Sequence, residues 1–278
     1  MLKTRILTAL ILLAVLLPVL YFGYFPAFAV IVALFFGAAI WESCRLFKNR
    51  HGVLMGLAWT AVFAYTFLAG GGERAHPSFW FALCSVIWLL RFVPALKLGL
   101  PPLDGRGNGL LGMVYAVAIV GCFAAIVELF RHSPSYLLSV MALVWIADIG
   151  AYFSGKAFGK RKLAPSISPG KSWEGAIGGG LAVLALASLS VLLAPAAPAL
   201  ADTFAVRLHA VLGWGAALAI LLLVVAASVV GDLFESMLKR RAGIKDSSNL
   251  LPGHGGVLDR IDALIPVLPL AALIGVWL

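Results

Sequence analysis

The sequence predicts an all-α, polytopic integral membrane protein of about nine transmembrane helices, with the N-terminus cytoplasmic, the C-terminus outside and the polar chemistry at the cytoplasmic membrane face. Three observations carry this. Apolar residues are 62% of the chain and charged residues 12%, against about half and a quarter in soluble domains, and mean hydropathy is +1.03. The apolar residues fall into nine runs, to be compared with the roughly 20 helical residues that cross a hydrocarbon core about 30 Å thick. The basic residues alternate in sidedness between those runs.

The runs span approximately 6–23, 25–42, 53–70, 78–94, 109–130, 137–154, 175–194, 210–230 and 261–278. The first two are parted only by a tight break around Gly23, Tyr24 and Pro26. Lys3 and Arg5 before the first run, with Ala27-Phe28-Ala29 after it, resemble a cleaved leader. Cleavage there leaves only Val30 to Trp41 before the next polar loop, so the first run is read as a retained crossing. The last run is short for a crossing. With the N-terminus inside, 18 of the 21 Lys and Arg lie on the inner side, and only Arg74, Arg131 and Arg207 lie outside, as the positive-inside rule requires.

Charge and cysteines exclude other classes. The net charge of +9 sits in short loops beside apolar runs, which suits anionic lipid or nucleotide phosphate rather than nucleic acid. Cys44, Cys84 and Cys122 are too dispersed for a disulfide framework or a thiolate metal site. The two longest polar inner regions, 155–172 and 231–260, leave no room for a separate soluble domain, so any chemistry uses helix ends and these loops.

Region 231–260 continues an apolar helix. Asp232, Glu235, Ser236 and Lys239 recur at i, i+3, i+4 and i+7 and share one helical face. After Lys245-Asp246 comes Pro252-Gly253-His254-Gly255-Gly256, whose glycines allow tight turns and close approach of backbone N–H groups to phosphate. Asp259 and Asp262, three apart, project to one side and suit a divalent cation with oxygen ligands. Carboxylates near a hydrocarbon boundary add nothing to topology and are costly unless paired, so they point to a site.

In the sixth run Asp148 stands within an apolar crossing, with Tyr152 one turn later; a basic partner on another helix or a place in the site are the two readings. Gly170-Lys171-Ser172 is not a phosphate-binding P-loop, because Pro165 stands where the first glycine is needed. Ser172 reads instead as the N-cap of the next helix, with Lys171 beside exposed helical N–H groups, a combination suited to an anion.

From Ser236 through Lys239-Arg240, Lys245-Asp246, Ser248, Pro252, His254-Gly255-Gly256 and Asp259-Arg260 to Asp262, the sequence resembles the phosphatidate cytidylyltransferase (CDP-diglyceride synthase) family at every fixed position of its signature. Asp148, Gly159-Lys160, Ser168-Pro169, Lys171 and Glu174-Gly175 are similar too. The resemblance covers mainly residues 145–278. The chain is expected to divide into N-terminal transmembrane helices (1–135) and a catalytic transmembrane region (136–278) with cytoplasmic loops 155–172 and 231–260. The resemblance implies transfer of a cytidylyl group from CTP to phosphatidic acid in phospholipid biosynthesis, in the cell inner membrane. It also implies magnesium held by Asp232, Asp259 and Asp262, a monovalent cation such as potassium beside it, and a homodimer. The expected catalytic set is Lys171, Asp232, Lys239, Arg240, Asp259 and Asp262. Ser236, Lys245, Asp246, His254, Gly255 and Gly256 are the expected nucleotide-side residues. Transporters, CDP-alcohol phosphotransferases and CTP-dependent lipid kinases are the rival readings.

Overall fold

The computed structural model describes residues 2–68 and 77–278, most of them helical; Arg74 and the end of the third run lie outside the described residues. Helices α1 (Leu2–Phe22) and α2 (Phe25–Leu46) part at the expected break. Gly23 takes φ 61° there, a conformation open to glycine. Pro26 sits in the first turn of α2, where its missing N–H has no helical partner to lose. Helix α3 (Gly52–Phe63) runs into a π turn at Ala64–Leu68.

Helix α4 (Pro77–Ile87), a π turn (Trp88–Phe92) and α5 (Val93–Leu98) form one apolar rod. Pro94 cannot donate to the preceding ladder, and the wider turn falls just before it. Helices α6 (Arg106–His132) and α7 (Pro134–Phe158) are joined at Ser133, whose Oγ accepts the Tyr136 N–H at 3.0 Å.

The 155–172 region is not all loop. Strands β1 (Lys162–Ala164) and β2 (Ser168–Ser172) pair antiparallel, with Lys162 opposite Ser172. Helix α8 (Trp173–Leu193) then starts on the expected cap, the Ser172 Oγ accepting the Gly175 N–H at 3.1 Å. Helix α9 (Phe204–Ala242) is 39 residues long and kinked at Gly213. From 214 to 242 it measures about 43 Å at 1.5 Å per residue, so its last turns outreach a core of about 30 Å. Gly243, left-handed at φ 73°, stops it, and the chain ends in α10 (Leu258–Ile261) and α11 (Leu264–Gly275).

The protein is an all-α, multi-pass membrane protein. Among the described residues six helices are long and apolar enough to cross: Phe25–Leu46, Ser78–Leu98, Arg106–His132, Pro134–Phe158, Trp173–Leu193 and Phe204–Ala242. The first, third and last expected crossings contribute the shorter apolar helices Leu13–Phe22, Gly52–Leu68 and Leu264–Gly275. Helix α11 is packed between α4, α6, α7 and α9, and Leu264, Ile265, Val267, Leu268, Ala271 and Ala272 are buried. It is apolar all round because protein, not water, surrounds it. The closest helix pair is α7–α8, where a Cβ on Gly179 would lie 2.5 Å from the Ala147 carbonyl oxygen; small residues let such backbones approach.

Long-range contacts sort into two ends of the bundle. At one end the Thr8 hydroxyl donates to the Pro252 carbonyl at 2.8 Å, the Asn108 amide to Phe47 at 2.9 Å and Arg241 to Pro101 at 3.1 Å. At the other, Arg131 donates to Phe67 at 2.8 Å, His132 pairs with Asp202 at 3.0 Å and Arg207 donates to the Leu278 carbonyl at 2.6 Å. The chain therefore starts near one end and finishes at the other.

Candidate active site

Both polar regions singled out in the sequence lie at the Thr8–Pro252 end. Strand β2 carries Lys171 across to α9, where its ammonium forms an ion pair with Asp232. The Ser236 hydroxyl, one turn on, donates to the other Asp232 oxygen at 3.3 Å. The pair sits at a cavity of about 470 Å³ between α7, the β hairpin, α8 and α9, whose polar lining includes Asp148, Tyr152, Lys156, Lys171, Ser228 and Asp232. Asp148 is exposed to this space and has no ion-pair partner among the described residues. Glu174 braces the hairpin: its carboxylate accepts the Lys160 and Arg161 N–H groups at 3.0 and 3.1 Å and the Arg161 Nε–H at 3.1 Å.

A second polar centre lies further along α9. Lys239 Nζ is 2.5 Å from Glu235 Oε2 and 2.6 Å from Asp259 Oδ1. The first contact is an ion pair rather than an aligned hydrogen bond, since neither Glu235 oxygen has a hydrogen-bond partner of good geometry. Asp259 Oδ2 accepts the Ser247 N–H at 2.8 Å and the Gly256 N–H at 2.8 Å, and lies 2.9 Å from the Ser247 hydroxyl. Burial opposes charge on Asp259, but the bond from Lys239 and those from Gly256 and Ser247 outweigh it and hold the carboxyl below its ordinary range.

Asp262 joins the two centres. Its carbonyl packs on Gly231, where a Cβ would lie 2.4 Å from that oxygen, so α9 and the final segment touch one residue before Asp232. The Asp262 side chain accepts the Ala263 N–H at 2.8 Å.

The remaining expected residues are placed less closely. Arg240, Lys245 and Asp246 are exposed and make no side-chain hydrogen bond or ion pair among the described residues. Asp246 Cβ lies near Gly255, 3.5 Å from where a Gly255 Cβ would be. His254 Nδ1 is buried without a hydrogen-bond partner among the described residues. The Gly256 N–H, expected to face phosphate, is instead committed to Asp259. Gly255 takes φ 85°, and a Cβ on it would lie 2.7 Å from Asp259 Oδ2. The turn's glycines thus make room for a buried carboxylate.

A cytidylyltransferase family model matches residues 3–277. The chain belongs to the cytidylyltransferase family. Among curated relatives of this family, the phosphatidate cytidylyltransferase of Pseudomonas aeruginosa is 44% identical over 98% of this chain and 96% of the relative. That of Haemophilus influenzae is 35% identical over 97% and 96%, and that of Bacillus subtilis 32% identical over 96% and 95%. The match extends over the N-terminal helices, which the signature resemblance leaves aside. Family membership makes the protein a nucleotidyltransferase of the cytoplasmic membrane.

Nucleotidyl transfer by this family implies a metal ion, and the donor chemistry suits magnesium, which takes one or two carboxylates and completes its shell with substrate phosphate and water. Among the described residues no group of three or more His, Cys, Asp or Glu stands assembled as a metal site. Asp232 pairs instead with Lys171, and Asp259 with Lys239 and loop N–H groups. Asp232 and Asp262, carried on segments that touch at Gly231, are carboxylates of the kind such an ion takes. Asp259 fits only if the cation takes the place of Lys239.

Glu42 is the residue that sequence reasoning missed. It lies near the end of α2, wholly buried, and accepts hydrogen bonds from Ser248, Val257 and Leu258, with the Ser247 hydroxyl 3.0 Å away. The signal was an acid inside an apolar run, the feature that singles out Asp148.

Proposed function

We infer that this protein transfers the cytidylyl group of CTP to phosphatidic acid, giving CDP-diacylglycerol and pyrophosphate. The observation that carries the reading is the Lys171–Asp232 pair at the cavity, with Asp148 on the facing helix, in a chain of this family. A lipid phosphate needs an anion site at the end of a membrane bundle, and Lys171 beside the capped N-terminus of α8 supplies one.

The lipid phosphate is already an anionic nucleophile, so no base is needed to generate it. One of its oxygens attacks the α-phosphorus of CTP, the α–β phosphoanhydride bond breaks, and pyrophosphate leaves with the electron pair. Lys171 holds the attacking phosphate and screens its repulsion from the triphosphate. Lys239 and Arg240 stabilise charge on the nucleotide phosphates, an electrostatic contribution that dominates phosphoryl-type transfers. The unpartnered His254 Nδ1 and the exposed Lys245 and Asp246 mark the nucleotide side, with Gly255 and Gly256 shaping the turn and Ser236 orienting Asp232. Magnesium, when bound, would neutralise the triphosphate oxygens; Asp232 and Asp262 would hold it, with Asp259 joining on exchange of its Lys239 partner. A monovalent cation such as potassium and a homodimer rest on family resemblance alone.

The same reading makes the Thr8–Pro252 end cytoplasmic, with nine passes. The opposite placement of the two chain ends and the basic residues around 239–245 support it. Residues 136–278 then carry the reacting groups and 1–135 the supporting helices.

The test is pyrophosphate release by purified protein in phosphatidic-acid-containing nanodiscs. Release should require CTP, phosphatidic acid and magnesium together and stop on chelation. Release without the lipid, or none in a preparation that binds both substrates, overturns the reading.

A further inference from the structure

We propose that Glu42 is a positioning residue: an anchor on α2 that holds the 247–258 loop, and with it Asp259 and Lys239, in register for the nucleotide. The inference rests on the reading of that loop as the nucleotide side.

Three donors point at the Glu42 carboxylate alone, and a fourth, the Ser247 hydroxyl, is shared with Asp259. The Ser248 hydroxyl donates to Oε1 at 2.5 Å and the Val257 N–H to the same oxygen at 3.0 Å. The Leu258 N–H donates to Oε2 at 2.7 Å, and the Ser247 hydroxyl, whose one proton serves either this oxygen or Asp259 Oδ2, lies 3.0 Å from it. An ionised carboxylate only accepts and has about four lone-pair sites, so three full donors and the shared hydroxyl lie within its capacity. No Lys or Arg pairs with Glu42 among the described residues. Its partners all belong to one loop more than 200 residues away in sequence.

The geometry explains three sequence features at once. Ser247 spans both buried carboxylates, its hydroxyl 3.0 Å from Glu42 Oε2 and 2.9 Å from Asp259 Oδ2. Gly256 is confined between the same groups: a Cβ would lie 2.1 Å from Ser247 Oγ and 2.5 Å from Glu42 Oε1. The Val257 and Leu258 N–H groups open the short helix α10, and Glu42 accepts both, as an acid at a helix N-terminus does. The loop enters and leaves through Glu42, and Asp259 follows directly. Anything that loosens it moves Asp259, and through Asp259 the Lys239 ammonium.

Global support and local positioning separate experimentally. In Glu42→Gln an amide NH₂ must replace one acceptor oxygen and face an N–H or O–H donor. Lys171 and the cavity on the α7–α8 side are untouched. The KM for CTP and the magnesium activation constant should therefore rise by roughly ten-fold or more, the scale at which supporting contacts around a metal centre act, while the KM for phosphatidic acid stays within about two-fold. Ser248→Ala removes one donor without introducing a new polar group, so it should move the same two constants in the same direction by less. Hydrogen exchange supplies the readout that does not need activity. In Glu42→Gln, segment 247–258 should lose protection while α6 and α8 keep theirs.

Unchanged constants and unchanged exchange in Glu42→Gln overturn the proposal. So does a fall in turnover with both KM values unaltered, or protection lost evenly across the helices, since either marks a merely structural residue. If Glu42→Gln does not fold, Ser248→Ala decides: no shift in the CTP and magnesium constants overturns it. A wild-type protein without cytidylyl transfer would sink the functional reading, and the exchange comparison would still decide whether Glu42 holds the loop.

Discussion

Asp259 and Lys171 sit on different chain segments, and each meets its counter-charge on α9. Two consequences follow for the isolated residues. The carboxyl of Asp259 is held below its ordinary range, so its contribution to stability is present above the unfolded value of about 4 and lost as pH falls through that value toward the lowered folded one. The melting-temperature gap between wild type and Asp259→Asn should be widest near pH 7 and should close below about pH 4. Lys171→Ala should lower kcat/KM by roughly a hundred-fold, the cost of removing one preorganised charge contact, with membrane insertion intact; unchanged kinetics for both substrates would remove Lys171 from the phosphate site. The stripe from Asp232 through Ser236 to Lys239 was legible because helical spacing alone brings i and i+4 together. The Lys171–Asp232 pair, the saturation of Asp259 and the role of Glu42 were not legible. Each joins groups whose proximity is set by tertiary packing, which spacing along one element cannot express.

At the scale of elements, the site exists because α9 and α11 touch at Gly231. A valine there must displace the Asp262 carbonyl and the Pro266 ring, the latter 2.8 Å from a Cβ at that position. Overpacking of this kind costs about 1–3 kcal/mol. On the proposal that Asp232 and Asp262 share a cation, Gly231→Val should lower the melting temperature and cost more activity than stability; activity falling only in step with folded protein would count against that proposal. Apolar runs marked where the helices lie, and Ser172 marked the start of α8. The β hairpin went unread because its polar, proline-containing stretch carries no alternation. The last run is apolar throughout because surrounding protein and surrounding lipid select the same residues, and α11 is enclosed by four helices.

Over the whole molecule, the segregation of contacts into two ends gives the charge pattern a physical frame. The signature residues gather at the end that holds Thr8 and Arg241, and the chain terminus at the end that holds Arg131 and Arg207. Single cysteines placed at 245 and at 202 in a variant lacking the native thiols should label from opposite sides of sealed vesicles; labelling from one side would break the nine-pass arrangement. The central claim concerns which phosphorus of CTP is attacked, and labelled CTP tests it most directly. Purified protein given phosphatidic acid and magnesium should carry label from the α-phosphate into lipid and release label from the γ-phosphate as pyrophosphate. Label from the γ-phosphate in lipid, with cytidine left in solution, would contradict the account and make the protein a kinase.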